Sequence, residues 1–223
     1  MNQPRLAPID QSKLRETVYD ALRQAFTRGE FAPGDVVSLR DLAEQLGCSM
    51  TPVREAVRRL VAEGALIDTP SRTLMVPPFD ARRITDLKAA RLALEALALD
   101  AAMARMGPDD LAPLEAMLAG AGADGVLPDL ELNYAFHFAL YRLSGSEVLL
   151  PMIEALWMQY GAYLNLVIRE QSAQTLDEHR HHHEILAALK AGDGASARAA
   201  LCRDIERSFA ILAHRIDEAA RHD

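Results

Sequence analysis

Histidine residues in the second half of the chain are spaced in a way that suits metal binding. One run, from Glu178 to His183, holds four histidines, and His137 lies apart from it, four residues after Asn133. Residues four apart share one face of a helix, so Asn133 and His137 can converge on one ion. Histidine is a common ligand of divalent metals. The pattern predicts a metal site, and the alternative is a solvated helix face rich in histidine.

A second group of residues, in the first third of the chain, could contact an anion such as a nucleic acid. Ser49 is a helix-capping residue type, and the apolar residues after it recur at helical spacing, so a helix is predicted there. The face of this helix turned away from the core carries Met50, Thr51, Arg54 and Arg58. A helix N-terminus beside two arginines one turn apart suits phosphates and base edges in a major groove.

Two further arginines extend this basic surface. Arg40 stands at the start of the preceding predicted helix, where it could hold a backbone phosphate. Arg72 stands at the tip of a predicted hairpin, where it could reach an adjacent groove. The alternative is that the arginines form a solvated face, paired with Glu55 and Asp41. Their joint placement favours DNA binding.

The elements that must position these arginines follow from the spacing of apolar and helix-breaking residues. The sequence predicts helices over residues 11–28, 39–46 and 49–63, and strand-like runs over 65–68 and 73–76. Helix, helix, tight turn, helix and hairpin is the order of a winged helix-turn-helix. Residues 1–76 are therefore predicted to form a DNA-binding domain.

A second domain is predicted after the stretch Pro77-Pro78-Phe79-Asp80, because two prolines interrupt regular structure and Asp80 can cap the next helix. We assign residues 77–83 to a linker and 84–223 to the second domain. Helical periodicity then predicts segments over 80–106, 108–121, 129–143, 146–169, 174–191 and 194–219. The predicted fold class is mostly α, with an N-terminal winged helix-turn-helix and a C-terminal all-helical bundle of about six helices.

Composition and charge narrow the class of protein. The 223 residues are 50% hydrophobic and 25% charged, which is typical of a globular protein. The formal net charge of -8 arises after residue 76, since residues 1–76 carry ten basic and ten acidic side chains. Two cysteines are too few for a disulfide framework, and no apolar stretch suits a signal peptide or a membrane span. We expect a cytoplasmic protein with no membrane partner.

The first domain resembles the DNA-binding domain of the GntR superfamily of bacterial transcription regulators. The resemblance spans residues 11–76 and rests on SLRDLAEQLGCSMTPVREAVRRLVAEGALI followed by the hairpin. It implies DNA contacts for Arg40, Thr51 and Arg54, whereas Ser49 would cap the helix or touch a phosphate. Two residues depart from the family pattern, since Met50 replaces an arginine and Ser71 replaces a glycine of the wing. Without that guanidinium, the operator sequence typical of the family is not implied.

The second domain resembles the FCD domain, the helical ligand-binding domain of the FadR branch of this superfamily. The resemblance covers residues 80–217, and it rests on Arg91, Glu95, Phe136, His137, Ser144, Gly145 and a histidine eleven residues before Asp193. Many members hold a divalent metal with one aspartate and three histidines. The corresponding positions in this chain are Asn133, His137, His182 and Asp204. His179, one turn before His182, is the second choice for the third position.

The altered ligand set keeps the formal charge of the family's set. Asn133 in place of an aspartate removes one negative charge, and Asp204 in place of a histidine restores it. His137, His182 and Asp204, with Asn133 as a weak fourth ligand, would suit zinc, nickel, manganese or iron. The alternative is a metal-free polar pocket in which Asn133 and Asp204 form hydrogen bonds.

Arg91 is a candidate for binding an effector. A guanidinium can hold a carboxylate through two hydrogen bonds, and the alternative is an ion pair between Arg91 and Glu95 on one helix. Residues that could line the effector cavity are Tyr134, Arg142, Trp157, Tyr160 and Asn165. Arg91 and the family resemblance together imply a small carboxylate effector, such as a sugar acid or another organic acid.

These features predict a ligand-responsive transcription regulator, a homodimeric repressor that binds paired operator half-sites in double-stranded DNA. Effector binding in the bundle would change the relative orientation of the two winged helix-turn-helix domains of the dimer, and so its affinity for the operator. The rival prediction is a metal-dependent enzyme that uses His137, His182 and Asp204 to activate water. The sequence has no GxSxG motif, no HExxH motif and no phosphate-binding loop. The enzyme hypothesis also assigns no function to the predicted helix-turn-helix. A structural DNA-binding protein without an effector is the third possibility.

Overall fold

The computed structural model describes residues 11–70, 73–119, 130–168 and 179–219, and helices dominate it. The first half holds α1 (Gln11–Thr27), β1 (Val36–Val37), α2 (Leu39–Gln45), α3 (Met50–Ala62), β2 (Ile67–Asp68) and β3 (Leu74–Met75). The second half holds α4 (Ala81–Met103), α5 (Leu111–Ala119), α6 (Leu130–Arg142), α7 (Leu149–Ile168), α8 (Arg180–Lys190) and α9 (Gly194–Ala219). The mostly helical fold class is confirmed.

Helices α1, α2 and α3 pack around one apolar core. Ser38 caps α2 by accepting a hydrogen bond from the backbone N–H of Asp41 (3.3 Å). Gly47 has a φ of 62° at the tight turn between α2 and α3, a conformation that glycine adopts without strain. The core contains Val18, Leu22, Phe26, Val53, Val57, Leu60 and Leu66. The apolar stripe of α3 is thus buried, and its polar face is turned outwards.

The predicted hairpin is part of a three-stranded antiparallel sheet. β3 lies in the middle, with Met75 opposite both Val36 of β1 and Ile67 of β2. The sequence analysis did not predict β1, because two residues are too few for an alternating pattern to show. Ser71 and Arg72, which the sequence analysis assigned to the tip of the hairpin, lie outside the described residues.

The helices α4 to α9 form the predicted bundle. Asp80 caps α4 by accepting hydrogen bonds from the backbone N–H groups of Arg82 and Arg83. Helix α9 packs against α8 and α4, and α4 also packs against α6 and α7. The helices begin and end close to the predicted bounds, although the segment predicted from residue 108 starts with a 3₁₀ turn, Pro108–Asp110, and the predicted start at residue 174 lies outside the described residues. None of the described helices is both long and apolar enough to span a membrane.

Residues of α7 pack in the hydrophobic cores of both domains. Met158 and Ala162 belong to the core of the N-terminal domain, whereas Trp157 belongs to the core of the bundle. Gly161 lies so close to α1 that a Cβ atom there would be 1.9 Å from the carbonyl oxygen of Phe26. Helix α7 is therefore a structural link between the two domains.

Candidate metal and effector site and candidate DNA interface

Three helices bring His137, His182 and Asp204 together inside the bundle. The residues lie on α6, α8 and α9, and all three side chains are buried. Nε2 of His137 is 3.0 Å from Oδ2 of Asp204 and 3.1 Å from Nε2 of His182, which is 3.8 Å from the same carboxylate oxygen. Two ligand atoms of a tetrahedral site are about 3.3 Å apart when each metal bond is about 2.0–2.1 Å long. The triangle therefore has the size of a metal-ligand set.

Hydrogen bonds fix the tautomer of His137. The hydroxyl of Tyr141, one turn further along α6, donates its only proton to Oε2 of Glu95 (2.5 Å). Its oxygen can then only accept, so Nδ1 of His137, 3.0 Å away, carries a proton and donates it. Nε2 of His137 faces the carboxylate oxygen of Asp204, which is 3.0 Å away. A proton on Nε2 would be donated to that oxygen, and without it both atoms are acceptors. Two acceptors this close need a proton or a metal ion between them, and an orienting partner on the other ring nitrogen is typical of metal-binding histidines.

Burial keeps His182 neutral. Desolvation, reinforced by the nearby His137, lowers the pKa of His182 to about 3. The ring of His182 is stacked on Phe136, with centroids 4.6 Å apart. Burial would raise the pKa of Asp204, but the hydrogen bond with His137 and the charges around it hold that pKa below its usual range. A neutral imidazole and an ionised carboxylate are the forms that bind a metal.

Asn133 lies beside this cluster without contacting its polar atoms. It is partly buried, one turn before His137 on α6, and no hydrogen bond joins it to the three clustered residues. Its role as a fourth ligand stays a prediction. His179 reaches the cluster only through His182, whose Nδ1 is 3.2 Å from Nδ1 of His179. The cluster in the structure therefore consists of His137, His182 and Asp204, and His179 is not part of it.

Arg91 lies inside the bundle and is paired with Glu95. Nε and Nη2 of Arg91 donate to the two carboxylate oxygens of Glu95 at 2.5 and 3.3 Å, and both side chains are buried. The guanidinium lies over the rings of Trp157 and Tyr160, at 4.3 and 4.8 Å from their centroids. The ion pair predicted as one alternative is therefore present, and it is buried. Because Glu95 also accepts from Tyr141, a chain of polar contacts joins Arg91 to the histidine cluster.

Tyr134 contacts the neighbouring domain as well as the bundle. Its hydroxyl accepts a hydrogen bond from Nη1 of Arg23 on α1 (2.7 Å), and its ring meets Trp157 edge-on, with centroids 5.8 Å apart. An ion pair between Arg28, the residue after the end of α1, and Glu131 of α6 makes a second contact between the same parts of the two domains. This interdomain contact was not predicted from the sequence, and the contact of Tyr134 with an effector stays a prediction.

The outward face of α3 carries most of the candidate DNA-contact residues. Those exposed on or beside it are Arg40, Ser49, Met50, Thr51, Arg54 and Arg58. Glu55, which could have neutralised them, pairs instead with Arg15 of α1 (2.8 Å). Within the part of the chain that the structure describes, the three exposed arginines of this face form no ion pair. Ser49 is the N-cap residue of α3, but its hydroxyl makes no capping hydrogen bond.

Tyr141 is the member of the site that the sequence analysis missed. A signal was present, since Tyr141 follows His137 by four residues and so shares its helix face. Glu95 was recognised only as part of the family motif and as a partner of Arg91. Its second role, as the acceptor for Tyr141 on another helix, depends on the packing of α4 against α6.

Comparisons with known proteins match both halves of this architecture. The family model "Bacterial regulatory proteins, gntR family" matches residues 14–75, and the model "FCD domain" matches residues 86–207. The HTH-type transcriptional regulator McbR of Escherichia coli (strain K12) is 34% identical over 200 residues, which cover 87% of this chain and 90% of McbR. The HTH-type transcriptional repressor GlaR of the same strain is 30% identical over 190 residues, covering 80% of this chain and 86% of GlaR.

A solved structure extends the similarity to three dimensions. The structure titled "E. coli McbR/YncC" aligns with a TM-score of 0.80 and 32% identity, over 91% of this chain and 98% of that chain. Both the family and these relatives are transcriptional regulators, so the alternative of a metal-dependent enzyme has no support. The chain therefore belongs to the GntR family of bacterial regulatory proteins, has an FCD domain as its second domain, and is a DNA-binding transcription regulator rather than an enzyme.

Proposed function

We propose that this regulator represses transcription as a homodimer and that a small carboxylate, bound in the bundle, changes its affinity for operator DNA. The observation that carries the proposal is the packing of α7, which contributes residues to the bundle core and to the core of the DNA-binding domain. A change beside His137 can therefore reach the DNA-binding domain through one rigid helix. Because operator DNA is in the cytoplasm, we propose that the protein acts there.

We assign DNA binding to α3 and the residues around it. The residues are Arg40, Ser49, Met50, Thr51, Arg54 and Arg58, with Arg72 added from the sequence alone. The support is the exposure of these side chains and the absence, among the described residues, of acidic partners for the arginines of this face. The first turn of α3 suits base edges, whereas Arg40 and Ser49 suit phosphates. One such helix covers a half-site, so a paired operator needs two copies of the chain.

We assign a divalent metal to His137, His182 and Asp204, with Asn133 as a weak fourth ligand. The donor types and their spacing fit zinc, nickel, manganese or iron. When bound, such an ion supplies a Lewis-acid position for an oxygen atom of the effector carboxylate. Arg91 and Tyr134, which both contact Trp157, complete the proposed effector site. A metal-free polar pocket is the alternative.

The DNA interface is tested by an electrophoretic mobility shift with the region upstream of the protein's own gene. Arg54→Ala is expected to weaken binding at least about tenfold, because it removes a contact at the base edges. Arg59→Ala is the matched control, since Arg59 is on the same helix but pairs with Glu63 (3.0 Å) and stacks on Tyr19. No binding by the wild type at low salt, or an equal loss in both variants, would contradict the assignment.

The metal site is tested by elemental analysis of the purified protein with plasma mass spectrometry. We expect about one divalent ion per chain, absent in His182→Ala and retained in His183→Ala, because His183 is exposed on the same helix. Chelation is expected to lower the thermal midpoint, since a ligand that binds only the folded state stabilises it. Protein without metal, with a melting curve unaffected by chelator, would favour the metal-free pocket.

A further inference from the structure

A large apolar side chain lies exposed on the face of α3 that carries the candidate DNA contacts. Met50, the first residue of α3, is 44% exposed. Among the large apolar side chains that are exposed in the described part of the chain, it is the one on this helix. Met50, Arg54 and Arg58 are four residues apart and all exposed, so they form one stripe along α3. The stripe is apolar in its first turn and cationic in the next two.

The core of the N-terminal domain does not use the Met50 side chain. Helix α3 packs in that core through its other face, with Val53, Ala56, Val57 and Leu60. Apolar surface exposed to water is unfavourable, and contact with another apolar group removes it from water. Methionine is long, unbranched and flexible, so it adapts its shape to the surface that it meets. Met50 is therefore suited to an apolar contact with a partner of α3.

The base pairs of DNA offer one prominent apolar group in the major groove. Guanine, adenine and cytosine are identified there by hydrogen-bonding groups, whereas thymine also displays its C5-methyl group. A thioether has no donor and is only a weak acceptor, so Met50 cannot form the hydrogen bonds that identify the other three bases. The methyl group of thymine is the feature that its chemistry can recognise.

We propose that Met50 is a specificity-determining residue, which selects a thymine in each operator half-site by apolar contact with the C5-methyl group. The proposal rests on the assignment of DNA binding to α3. In helix-turn-helix proteins the N-terminal residues of the second helix contact base edges, and Met50 is the first residue of α3. Arg54 and Arg58 supply charge that attracts any DNA sequence. Met50 has no charge, so it acts on the choice of base pair.

The test begins with selection of bound duplexes from a random DNA library by the full-length wild type and by Met50→Arg. We expect each wild-type half-site to contain a thymine that becomes guanine with Met50→Arg, because arginine reads O6 and N7 of guanine. Each thymine of the half-site is then replaced in turn by deoxyuridine, which lacks only the methyl group. At the thymine that Met50 contacts, the affinity of the wild type is expected to fall about fourfold, as measured by fluorescence anisotropy.

Met50→Ala should bind the thymine and deoxyuridine duplexes within about twofold of each other, because its side chain is too short to keep the contact. Met152→Ala is the matched control, since Met152 is 48% exposed but lies on α7, and it should retain the fourfold loss.

Three results would each overturn the proposal while DNA binding by α3 stands. They are equal affinity of the wild type for all deoxyuridine and thymine duplexes, an unchanged base preference in Met50→Arg, and a fourfold loss that persists in Met50→Ala. If the wild type selects no sequence at all, the proposed operator binding fails together with the role of Met50.

Discussion

Polar side chains inside the bundle are joined by consecutive contacts rather than buried singly. Arg91 pairs with Glu95, Glu95 accepts from Tyr141, and Tyr141 contacts His137. A buried charge without a partner is costly, and each contact in this series reduces the cost for two residues. Removing one member should therefore affect its neighbours as well as its own hydrogen bond.

Glu95→Gln is expected to lower the free energy of unfolding by about 3–5 kcal/mol, because it leaves the Arg91 guanidinium buried without its counter-charge. Urea unfolding at neutral pH measures the change. Glu184→Gln is the control, since Glu184 pairs with Arg180 and Arg203 near the surface, and its unfolding midpoint should stay close to that of the wild type. A Glu95→Gln protein as stable as the wild type would contradict the structural role of the ion pair.

Tyr141→Phe is expected to weaken metal binding about 10- to 100-fold, because Nδ1 of His137 loses the partner that fixes its tautomer. Competition with a chelator of known affinity measures the metal dissociation constant. Tyr134→Phe is the control on the same helix, since its hydroxyl bonds Arg23 of the other domain. Equal metal affinity in the wild type and in Tyr141→Phe would mean that Tyr141 does not orient His137.

Local sequence patterns could identify the polar residues of the site but not their burial. The four-residue spacing of Arg91 and Glu95 was enough to suggest an ion pair. That the pair is buried depends on Trp157 of α7, which packs over the guanidinium, and a local pattern contains no such long-range contact. For the same reason, spacing placed Asn133 and His137 on one face, whereas the position of Asp204 was inferred from the family resemblance.

At the scale of elements, α7 has apolar residues on opposite sides. Trp157 faces the bundle, whereas Met158 and Ala162 pack in the DNA-binding domain. A helix that is apolar on more than one side is normally packed on more than one side, so the sequence indicates that the middle of α7 packs against two partners. It does not indicate that one of its partners is α1, because helical periodicity carries no information about which distant surface is met.

Gly161→Ala is expected to destabilise the protein by about 1–3 kcal/mol through overpacking. In a free helix, alanine would be favoured over glycine by about 1 kcal/mol, but here the new Cβ would lie 1.9 Å from the backbone oxygen of Phe26. Calorimetric melting measures the effect. Gly107→Ala is the control, since the nearest atom to its Cβ is a side-chain oxygen of Asp110 at 3.9 Å. A Gly161→Ala protein that is more stable than the wild type would contradict the close packing of α1 on α7.

At the scale of the whole molecule, the two domains occupy separate parts of the sequence, but their side chains pack directly against each other. Residues 76–80 have no regular secondary structure, whereas residues 81–83 of the predicted linker, 77–83, form the first turn of α4 because Asp80 caps that helix. Arg83 of α4 nevertheless donates to the Gly64 carbonyl (2.9 Å) and to Gln159 of α7 (2.7 Å). The proline-rich linker therefore does not mark a break in the folded structure.

A fragment of residues 1–79 is expected to be less stable than the same residues in the full chain, because it loses Met158 and Ala162 from its core. Burial of one methionine side chain contributes about 1.5–3 kcal/mol, so amide hydrogen exchange in α3 should be about 10- to 100-fold faster in the fragment. Exchange measured on both proteins by mass spectrometry gives the ratio. Equal rates would mean that α7 adds nothing to the stability of the DNA-binding domain.

Trp157 is the only tryptophan in the chain, and it lies between the Arg91 guanidinium and the ring of His137. Indole fluorescence responds to nearby charge and is quenched by paramagnetic ions. Light emitted by tryptophan in this protein therefore originates beside the candidate site and nowhere else. Trp157 is therefore an intrinsic fluorophore at the candidate site. Titration of the protein with nickel or with a candidate effector can be followed through the tryptophan emission without a label, and the same measurement is possible with the protein bound to DNA.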